Sequence, residues 1–190
     1  MKRILTRIAD WLIERAQRTP YVHITDEHGS TYMERFWLIP YNRLGIAARV
    51  HHILRSDEDR HMHDHPWWSV SVILRGGYWE ETPHPAGMYW DVHCDGFNQK
   101  RWRGPGSIVF RRATDWHRLE LPASGPAWLS QSDVTMPPRS CWTLFITGPK
   151  RKDGDPAHSC WGFLVDGVKV PADVYLGERY IATDYSGEQA

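Results

Sequence analysis

The sequence predicts an all-β protein, a sandwich or barrel with one helix at its N-terminal end. Short runs rich in Val, Ile, Trp, Tyr and Phe are separated by Gly, Pro, Asp and Asn, which is typical of strands joined by turns. Helical patterns do not alternate with these runs, which disfavours repeated βαβ units. About nine runs have this character: FWLIPY, IAARVHHIL, WSVSVIL, YWEE, MYWDV, SIVFR, HRLEL, CWTLFIT and CWGFLV.

The one predicted helix comes first in the chain. Between Ile4 and Ala16 the apolar residues recur at helical spacing, and the pattern ends near Thr19 and Pro20. An amphipathic helix buries one face, so we expect it to lie against the β structure. Its apolar residues are Ile4, Leu5, Ile8, Trp11, Leu12 and Ile13.

Length and composition predict a single domain that spans residues 1–190. A chain of 190 residues, of which 41% are hydrophobic and 24% charged, suits one globular core. We assign the helix to residues 1–20, the β structure to residues 35–170 and a flexible tail to residues 183–190. The charged segment 148–156 is predicted to be a surface loop.

Charge and cysteine content narrow the classes of function. Lys plus Arg and Asp plus Glu each number 23, so no net charge attracts nucleic acid or anionic membranes. No run approaches the roughly twenty apolar residues of a membrane span, and Asp10 and Glu14 interrupt the N-terminal segment too early for a signal peptide. Cys94, Cys141 and Cys160 form no close pair, which favours a reducing cytoplasm. We therefore expect a cytoplasmic protein with a small-molecule substrate and neither a nucleic-acid nor a membrane partner.

The clearest chemical signal is a cluster of histidines. In RHMHDHPWW, His61, His63 and His65 occupy every second position, so an extended backbone places three imidazoles on one face. Pro66 favours that backbone, because the residue before a proline is displaced from helical geometry. Imidazoles paired in this way suit iron, zinc, copper or nickel. The alternative is a solvated loop with accidental alternation, and His61 is kept only as a reserve ligand.

This stretch resembles the first motif of the cupin superfamily, which reads H-x-H, three or four residues, Glu, six residues, Gly. His63, His65 and Gly76 match that motif in identity and spacing. Ser69 stands where cupins usually supply a glutamate ligand, and Asp57 stands at the opening glycine. The departure removes the carboxylate from the expected ligand set.

A second stretch, GSIVFRRATDWHRLEL, resembles in part the second cupin motif: Gly, five residues, Pro, x, Gly, two residues, His, three residues, Asn. Gly106 and His117 lie at the expected separation. Three other residues replace the proline, the second glycine and the asparagine: Arg112, Thr114 and Leu121. The resemblance covers residues 44–121 and extends toward residue 148, while the helix and the C-terminal segment lie outside it.

The resemblance implies a jelly-roll barrel (a double-stranded β-helix, RmlC-like) in which His63, His65 and His117 bind one divalent transition metal. Three neutral imidazoles leave the double charge of the ion uncompensated, so anionic or oxygen ligands should bind to it more readily. Three-histidine cupins such as the thiol dioxygenases use iron in this way. The implied function is a mononuclear non-haem iron oxygenase acting on a small molecule, with Zn2+, Ni2+ or Mn2+ as alternatives to Fe2+.

Three residues are candidates for catalytic roles beside the metal. Ser69 shares the face of His63 and His65 if the strand is regular, and its hydroxyl could then bond a substrate oxygen. Glu81 and Arg75 lie in or beside strands, where an inward carboxylate would act as a general base and an inward guanidinium as a carboxylate clamp. The alternatives are a small packing residue and charges solvated at strand edges.

Several neighbouring residues have less specific assignments. Glu80 and Arg49 are further inward candidates. One of His51 and His52 must face inward, where a core histidine bonded to a neighbour is the favoured role. Asp64 is a candidate either to orient a ligating imidazole or to cap a turn. The tryptophans that flank the proposed ligands would wall a dry pocket or form ordinary core: Trp67, Trp68 and Trp116.

Two other functions stay open on the sequence alone. One is a non-catalytic module that binds a metal or a small ligand, and the other is a metal-free sugar epimerase or isomerase of the same fold with histidine as the base. The chain also resembles small cupin-like proteins of bacteria and their phages that carry HDHPW followed by ILRGGY, for which no activity is agreed. Metal-dependent, dioxygenase-like catalysis is the preferred hypothesis. A homodimer is expected by analogy, because cupins often pair through their sheets.

Overall fold

The computed structural model of the chain describes residues 2–25, 31–57, 61–83, 98–122, 140–151 and 157–176. Two helices in this part of the chain, α1 (Lys2–Ala16) and α2 (Ala172–Leu176), accompany the strands β1 (Tyr21–Thr25), β2 (Thr31–Ile39), β3 (Ala47–Ile53), β4 (Ser69–Gly76), β5 (Tyr78–Pro83), β6 (Asn98–Arg103), β7 (Ile108–Arg111), β8 (Arg118–Glu120), β9 (Cys141–Thr147), β10 (Gly162–Val165) and β11 (Val168–Pro171). Neither described helix combines the length and apolar character needed to cross a membrane. The predicted MYWDV strand, Cys94 and the predicted tail lie outside the described residues.

The N-terminal helix forms where the sequence predicts it and packs only in part. The hydroxyl of Thr19 donates to the carbonyl of Ala16 (2.6 Å) at the end of α1, and Pro20 follows without an N–H to continue the helix. Ile13 and Ala16 are buried in a cluster with Phe36, Val50 and Trp142. Four of the predicted apolar residues are exposed: Ile4, Leu5, Ile8 and Trp11. Therefore only part of the predicted apolar face lies against the sheet.

The strands form two antiparallel sheets and a hairpin. The larger sheet has the order β1-β2-β3-β9-β4-β7, the smaller one β6-β5-β8, and β10 pairs with β11. The backbone of His63 bridges His117, next to β8, and Phe163 of β10, so the hairpin extends the smaller sheet. Strands β4, β7 and β9 lie in one sheet while β5, β6 and β8 lie in the other, and β9 inserts between β3 and β4. This Greek-key order is that of a jelly roll, which confirms the predicted fold class.

The inner face of the larger sheet is polar at one end. Directly opposed residues on antiparallel strands share a face, and α1 packs on the other face. Three inner rows follow from the strand register: Arg35–His51–Thr143–Ile73, Trp37–Arg49–Phe145–Ser71 and Ala47–Thr147–Ser69–Arg111. The row beyond them is apolar: Met33–Ile53–Cys141.

The apolar end holds the main core cluster. It is formed by Tyr32, Met33, Ile53, Ile73, Tyr78, Leu119, Leu121 and Cys141. The carboxylate of Asp57 enters this end, where it accepts hydrogen bonds from the Tyr32 hydroxyl and the Leu119 amide. Asp57 replaces the opening glycine of the first cupin motif, and this pair of bonds accounts for a buried acid at that position.

The two motif glycines are required by the backbone. Gly76 has φ +76° and Gly106 has φ +86°, values that favour glycine because a side chain would be strained there. A Cβ atom at Gly76 would also lie 2.1 Å from the carbonyl oxygen of Ser140. The glycine that closes the first motif therefore permits β4 to approach the start of β9.

Candidate metal centre

Two separate chain segments bring the three histidines together. The amide of His63 donates to the carbonyl of His117 (2.9 Å), and the amide of His117 donates to the carbonyl of His63 (3.1 Å). Residues that exchange both bonds are an antiparallel pair whose side chains share a face. The amide of His65 donates to the carbonyl of Ala113 (3.1 Å), which holds the extended segment of His63 and His65 against the turn before β8.

The three imidazoles converge on one point inside the barrel. One nitrogen from each ring forms a group in which all ligand atoms lie within 4.8 Å of one another. The Nε2 atoms of His65 and His117 are 2.8 Å apart. The ring centroid of His63 lies 5.1 Å from that of His65 and 4.7 Å from that of His117. No carboxylate or thiol among the described residues joins this group.

Burial keeps two of these rings in the state that a metal ligand needs. Burial lowers the pKa of His65 well below its usual range, and the charges of His63, Arg111 and Arg35 act in the same direction. Burial also lowers the pKa of His117, and repulsion of its protonated form by Arg111 and by protonated His63 and His65 acts in the same direction. Both rings are therefore neutral near pH 7. Without a metal, one of the two Nε2 atoms must donate its hydrogen to the other.

The donor set fits a divalent transition metal. Neutral imidazole nitrogens suit iron, zinc, copper and nickel, and three protein ligands leave coordination positions open. His117 is only 4% exposed, and its Nδ1 atom has no hydrogen-bond partner within the described part of the chain. Its ring is therefore oriented by packing and by the other two imidazoles.

Ser69, a predicted candidate for a catalytic role, lies at the polar end of the larger sheet. It is fully buried on the inner face of β4, opposite Arg111 on one side and Thr147 on the other. The hydroxyls of Ser69 and Thr147 are both buried, and neither finds a hydrogen-bond partner among the described residues. Two adjacent orphaned hydroxyls at the polar end can bind a ligand that enters the barrel.

Arg75 and Glu81 are not brought to the histidines. The register of β4 shifts between Ile73 and Arg75, so Arg75 lies opposite Trp142 on the outer face. There the Arg75 guanidinium, 55% exposed, pairs with Asp10 of α1. A bulge of this kind moves the following side chain to the other face of the sheet.

Glu81 belongs to the outside of the smaller sheet. Its carboxylate accepts hydrogen bonds from Asn98 (2.8 Å) and from Arg118. Burial opposes ionisation of Glu81, but these bonds, first that from Arg118, hold its pKa below the usual value. Glu80, one residue earlier, is the inward carboxylate and pairs with Arg111 and Arg103. Because successive side chains of a strand point to opposite faces, β5 directs Glu80 inward and Glu81 outward.

The other histidines fall into distinct roles. His51 is 5% exposed on the inner face, with its ring 4.6 Å from that of Phe145. Burial, then the charges of Arg35 and Arg49, lower the pKa of His51 well below its usual range. The other two lie outside the group of three imidazoles: His52 bonds Glu34 (2.8 Å) and stacks on Trp142, and His61 bonds the Tyr175 hydroxyl (2.8 Å).

Asp64 and the tryptophans that flank the histidines have different contacts. Asp64 accepts from the Gly162 amide (2.7 Å) and from Lys169 (2.7 Å), so it anchors the β10–β11 hairpin instead of orienting an imidazole. The Trp67 ring stacks 6.3 Å from that of His65. The other two tryptophans contact different groups: Trp68 packs near Phe110, and Trp116 lies under the Lys169 ammonium.

Sequence reasoning missed three residues at the polar end: Arg35, Arg111 and Thr147. Arg35 and Arg111 lie on strands whose alternation contained a signal. In TYMERFWLI, Arg35 shares the parity of Met33, which is buried on the inner face. In IVFR, Arg111 shares the parity of the buried Val109. A charged residue that lies two positions along a strand from a buried apolar residue shares its face. Such a residue is therefore a candidate for the interior.

No protein-family model and no curated protein matches the chain. Similar solved structures include a cupin-2 domain protein from Rhodospirillum rubrum (TM-score 0.45, 13% identity, covering 73% of this chain and 76% of that chain). They also include DMSP lyase DddQ from Ruegeria pomeroyi (0.47, 16%, 76% and 64%) and the hydroxypropylphosphonic acid epoxidase from S. wedmorenis (0.45, 12%, 70% and 56%). The chain spans little more than half the length of the epoxidase, and the activities of these proteins are their own.

Proposed function

We propose that this protein is an enzyme, a mononuclear oxygenase that acts on a small molecule and holds Fe2+ through His63, His65 and His117. One observation carries the proposal: three imidazole donors from two chain segments have their ligand atoms within 4.8 Å of one another. His65 and His117 are 52 residues apart in the sequence. An accidental alternation in a solvated loop would not bring a third, buried imidazole to the same point.

The donor set determines what chemistry is available. Three neutral nitrogens favour a transition metal over the hard ions Mg2+ and Ca2+, which prefer oxygen ligands. Fe2+ held there would supply the dioxygen and one-electron chemistry that amino-acid side chains lack. The double charge of such an ion also favours anionic substrate groups in the open positions.

The surrounding side chains bind the substrate and exclude water. The rings of Phe145 and Trp67 both lie 6.3 Å from that of His65 and cover it with apolar surface. The Ser69 and Thr147 hydroxyls are available to orient polar atoms of the substrate. His51, kept neutral by burial, can accept a proton at Nε2.

Elemental analysis tests the metal directly. Protein produced without a His tag and without added metal should contain about one transition metal per chain. His117→Ala and His65→Ala should reduce that content to near zero. His61→Ala is the matched control, because this ring bonds the Tyr175 hydroxyl outside the group, and it should keep the wild-type content. Wild-type protein without metal would overturn the proposal and favour the metal-free isomerase.

Catalysis is tested on iron-loaded protein. Oxygen uptake is measured with a panel of thiols, diketones and aromatic diols. Uptake that depends on one substrate and is lost in His117→Ala supports the oxygenase. Protein that binds iron and takes up no oxygen with any member of the panel favours the non-catalytic binding module.

A further inference from the structure

Arg35, Arg49 and His51 form a polar group beside the three histidines. Arg35 on β2 lies directly opposite His51 on β3. Arg49 lies two residues from His51 on the same strand and therefore on the same inner face. Phe145, directly opposite Arg49, has its ring 4.6 Å from that of His51 and 6.3 Å from that of His65. The two guanidinium groups therefore enter the barrel at the end where the imidazoles converge.

Arg35 makes no hydrogen bond or ion pair with any described residue. Its Nε atom is nevertheless buried while the residue as a whole is half-buried, and a half-buried cation without a counter-charge loses part of its hydration without compensation. The inward carboxylate of Glu80 is already engaged by Arg111 (2.7 Å from Nε) and by Arg103 (2.6 Å). His51, directly opposite Arg35, supplies no negative charge in either of its protonation states. A negative group would complete this environment.

Arg49 is held in a fixed orientation. Its guanidinium carbon lies 4.0 Å from the centroid of the Trp37 ring and 5.4 Å from that of Tyr41. Stacking on an aromatic face leaves the N–H donors of a guanidinium directed within its own plane. Arg49 therefore adds a positive charge of fixed position on the inner face, and carboxylates bind where guanidinium groups are held in this way.

We propose that Arg35, assisted by Arg49, binds a carboxylate, so that the molecule acted on at the metal centre is a small organic acid. The catalytic part of this inference rests on the proposed function of the three histidines, but the anion site itself uses none of them. A carboxylate there would give Arg35 a partner that it does not have among the described residues.

Malonate binding to the metal-free protein tests the anion site. Calorimetry should give one binding event per chain, and the Nε–H resonance of Arg35 should move in NMR spectra of arginine-labelled protein. Arg35→Gln should weaken malonate binding at least tenfold, and Arg35→Lys should restore part of the loss because the charge returns. Arg101→Gln removes an exposed arginine of β6 and should leave the affinity unchanged.

Two further measurements keep the outcomes distinct. Zinc binding should be the same in wild type and all three variants, which shows that the barrel and the histidines are intact. The proposal is overturned if wild type does not bind malonate, if Arg35→Gln binds it as wild type does, or if inorganic phosphate binds and malonate does not. Malonate binding that depends on Arg35 in a protein without zinc affinity would support the anion site and reject the metal-dependent function.

Discussion

The two ends of the barrel interior are built from the same strands in opposite ways. On β3, Ile53 belongs to the apolar cluster and His51 to the polar end. The acid at the apolar end, Asp57, has donors for both carboxylate oxygens. The polar end contains buried groups without partners in the described part of the chain, among them Ser69 and Thr147. The apolar end therefore contributes most to stability. The unpaired hydrogen-bonding groups lie at the polar end, where a ligand would bind.

Glu80 connects the two ends and should give the largest effect on stability. It neutralises Arg111, whose guanidinium also bonds the Tyr78 hydroxyl of the apolar cluster (3.3 Å). Glu80→Gln should reduce the free energy of unfolding by about 3–5 kcal/mol, because a buried guanidinium loses its counter-charge. Urea unfolding measures the change. Glu120→Gln is the control, since Glu120 pairs with Lys100 at the surface, where about 0–1 kcal/mol is expected; equal losses would contradict the account.

Truncation at the apolar end should cost stability without affecting the metal. Ile53→Ala should reduce the free energy of unfolding by about 2–4 kcal/mol, from lost burial and the cavity left behind. Metal content should stay at the wild-type value, because Ile53 lies in the apolar row beyond the histidines. Urea unfolding and elemental analysis of the same sample test both statements. Loss of metal together with stability would show that the two ends are not separable.

The buried histidines should make the metal-free protein sensitive to acid. Burial is the largest cause that lowers the pKa of His51, His65 and His117 in the folded state. In the unfolded state the pKa of histidine is about 6.5. Below that pH the unfolded state binds more protons, so the free energy of unfolding falls as pH falls. The slope is up to about 1.4 kcal/mol per pH unit for each histidine.

Replacing one histidine isolates its share of this slope. Urea unfolding of metal-free protein at several values between about pH 8 and pH 5 should show a shallower decline in His51→Phe than in wild type. His23→Phe, at an exposed position of β1, should decline as wild type does. An unchanged slope in His51→Phe would mean that the pKa of His51 is not lowered in the folded state.

The smallest effect is expected at Thr147. Its hydroxyl is buried without a partner among the described residues, so Thr147→Val removes an unsatisfied group at nearly constant volume. The free energy of unfolding should rise by up to about 1 kcal/mol. Ser71→Ala is the contrasting variant: it removes the hydroxyl that accepts a hydrogen bond from Arg111 (3.1 Å) and should lower stability by a similar amount. Destabilisation by both variants would show that Thr147 has a structural partner.

The fold and the histidine group were accessible from local sequence patterns. Alternation placed His63 and His65 on one face, and two motif fragments identified His117 as their partner across the chain. The same reasoning failed for Arg75, because period two predicts that it shares the face of Ser69. The bulge after Ile73 depends on how β4 pairs with β9, and the sequence of one strand does not contain that information.

The charged residues of the interior were harder to predict for a related reason. Charges on strands usually face solvent, so Arg35 and Arg111 attracted no assignment. Their inward orientation follows only from the strand register. In that register Arg35 lies opposite His51, and Arg111 lies opposite Ser69. Register is a property of strand pairs, which explains why the metal ligands were easier to predict than the residues around them.

The central claim is that three imidazoles from two chain segments bind a single metal ion. X-ray absorption spectroscopy on protein loaded with one equivalent of Zn2+ tests it most directly. The account predicts about three imidazole nitrogens at roughly 2.0–2.1 Å from the metal, and one fewer in His117→Ala. A first shell of oxygen or sulfur without imidazole, or a spectrum unchanged in His117→Ala, would contradict it.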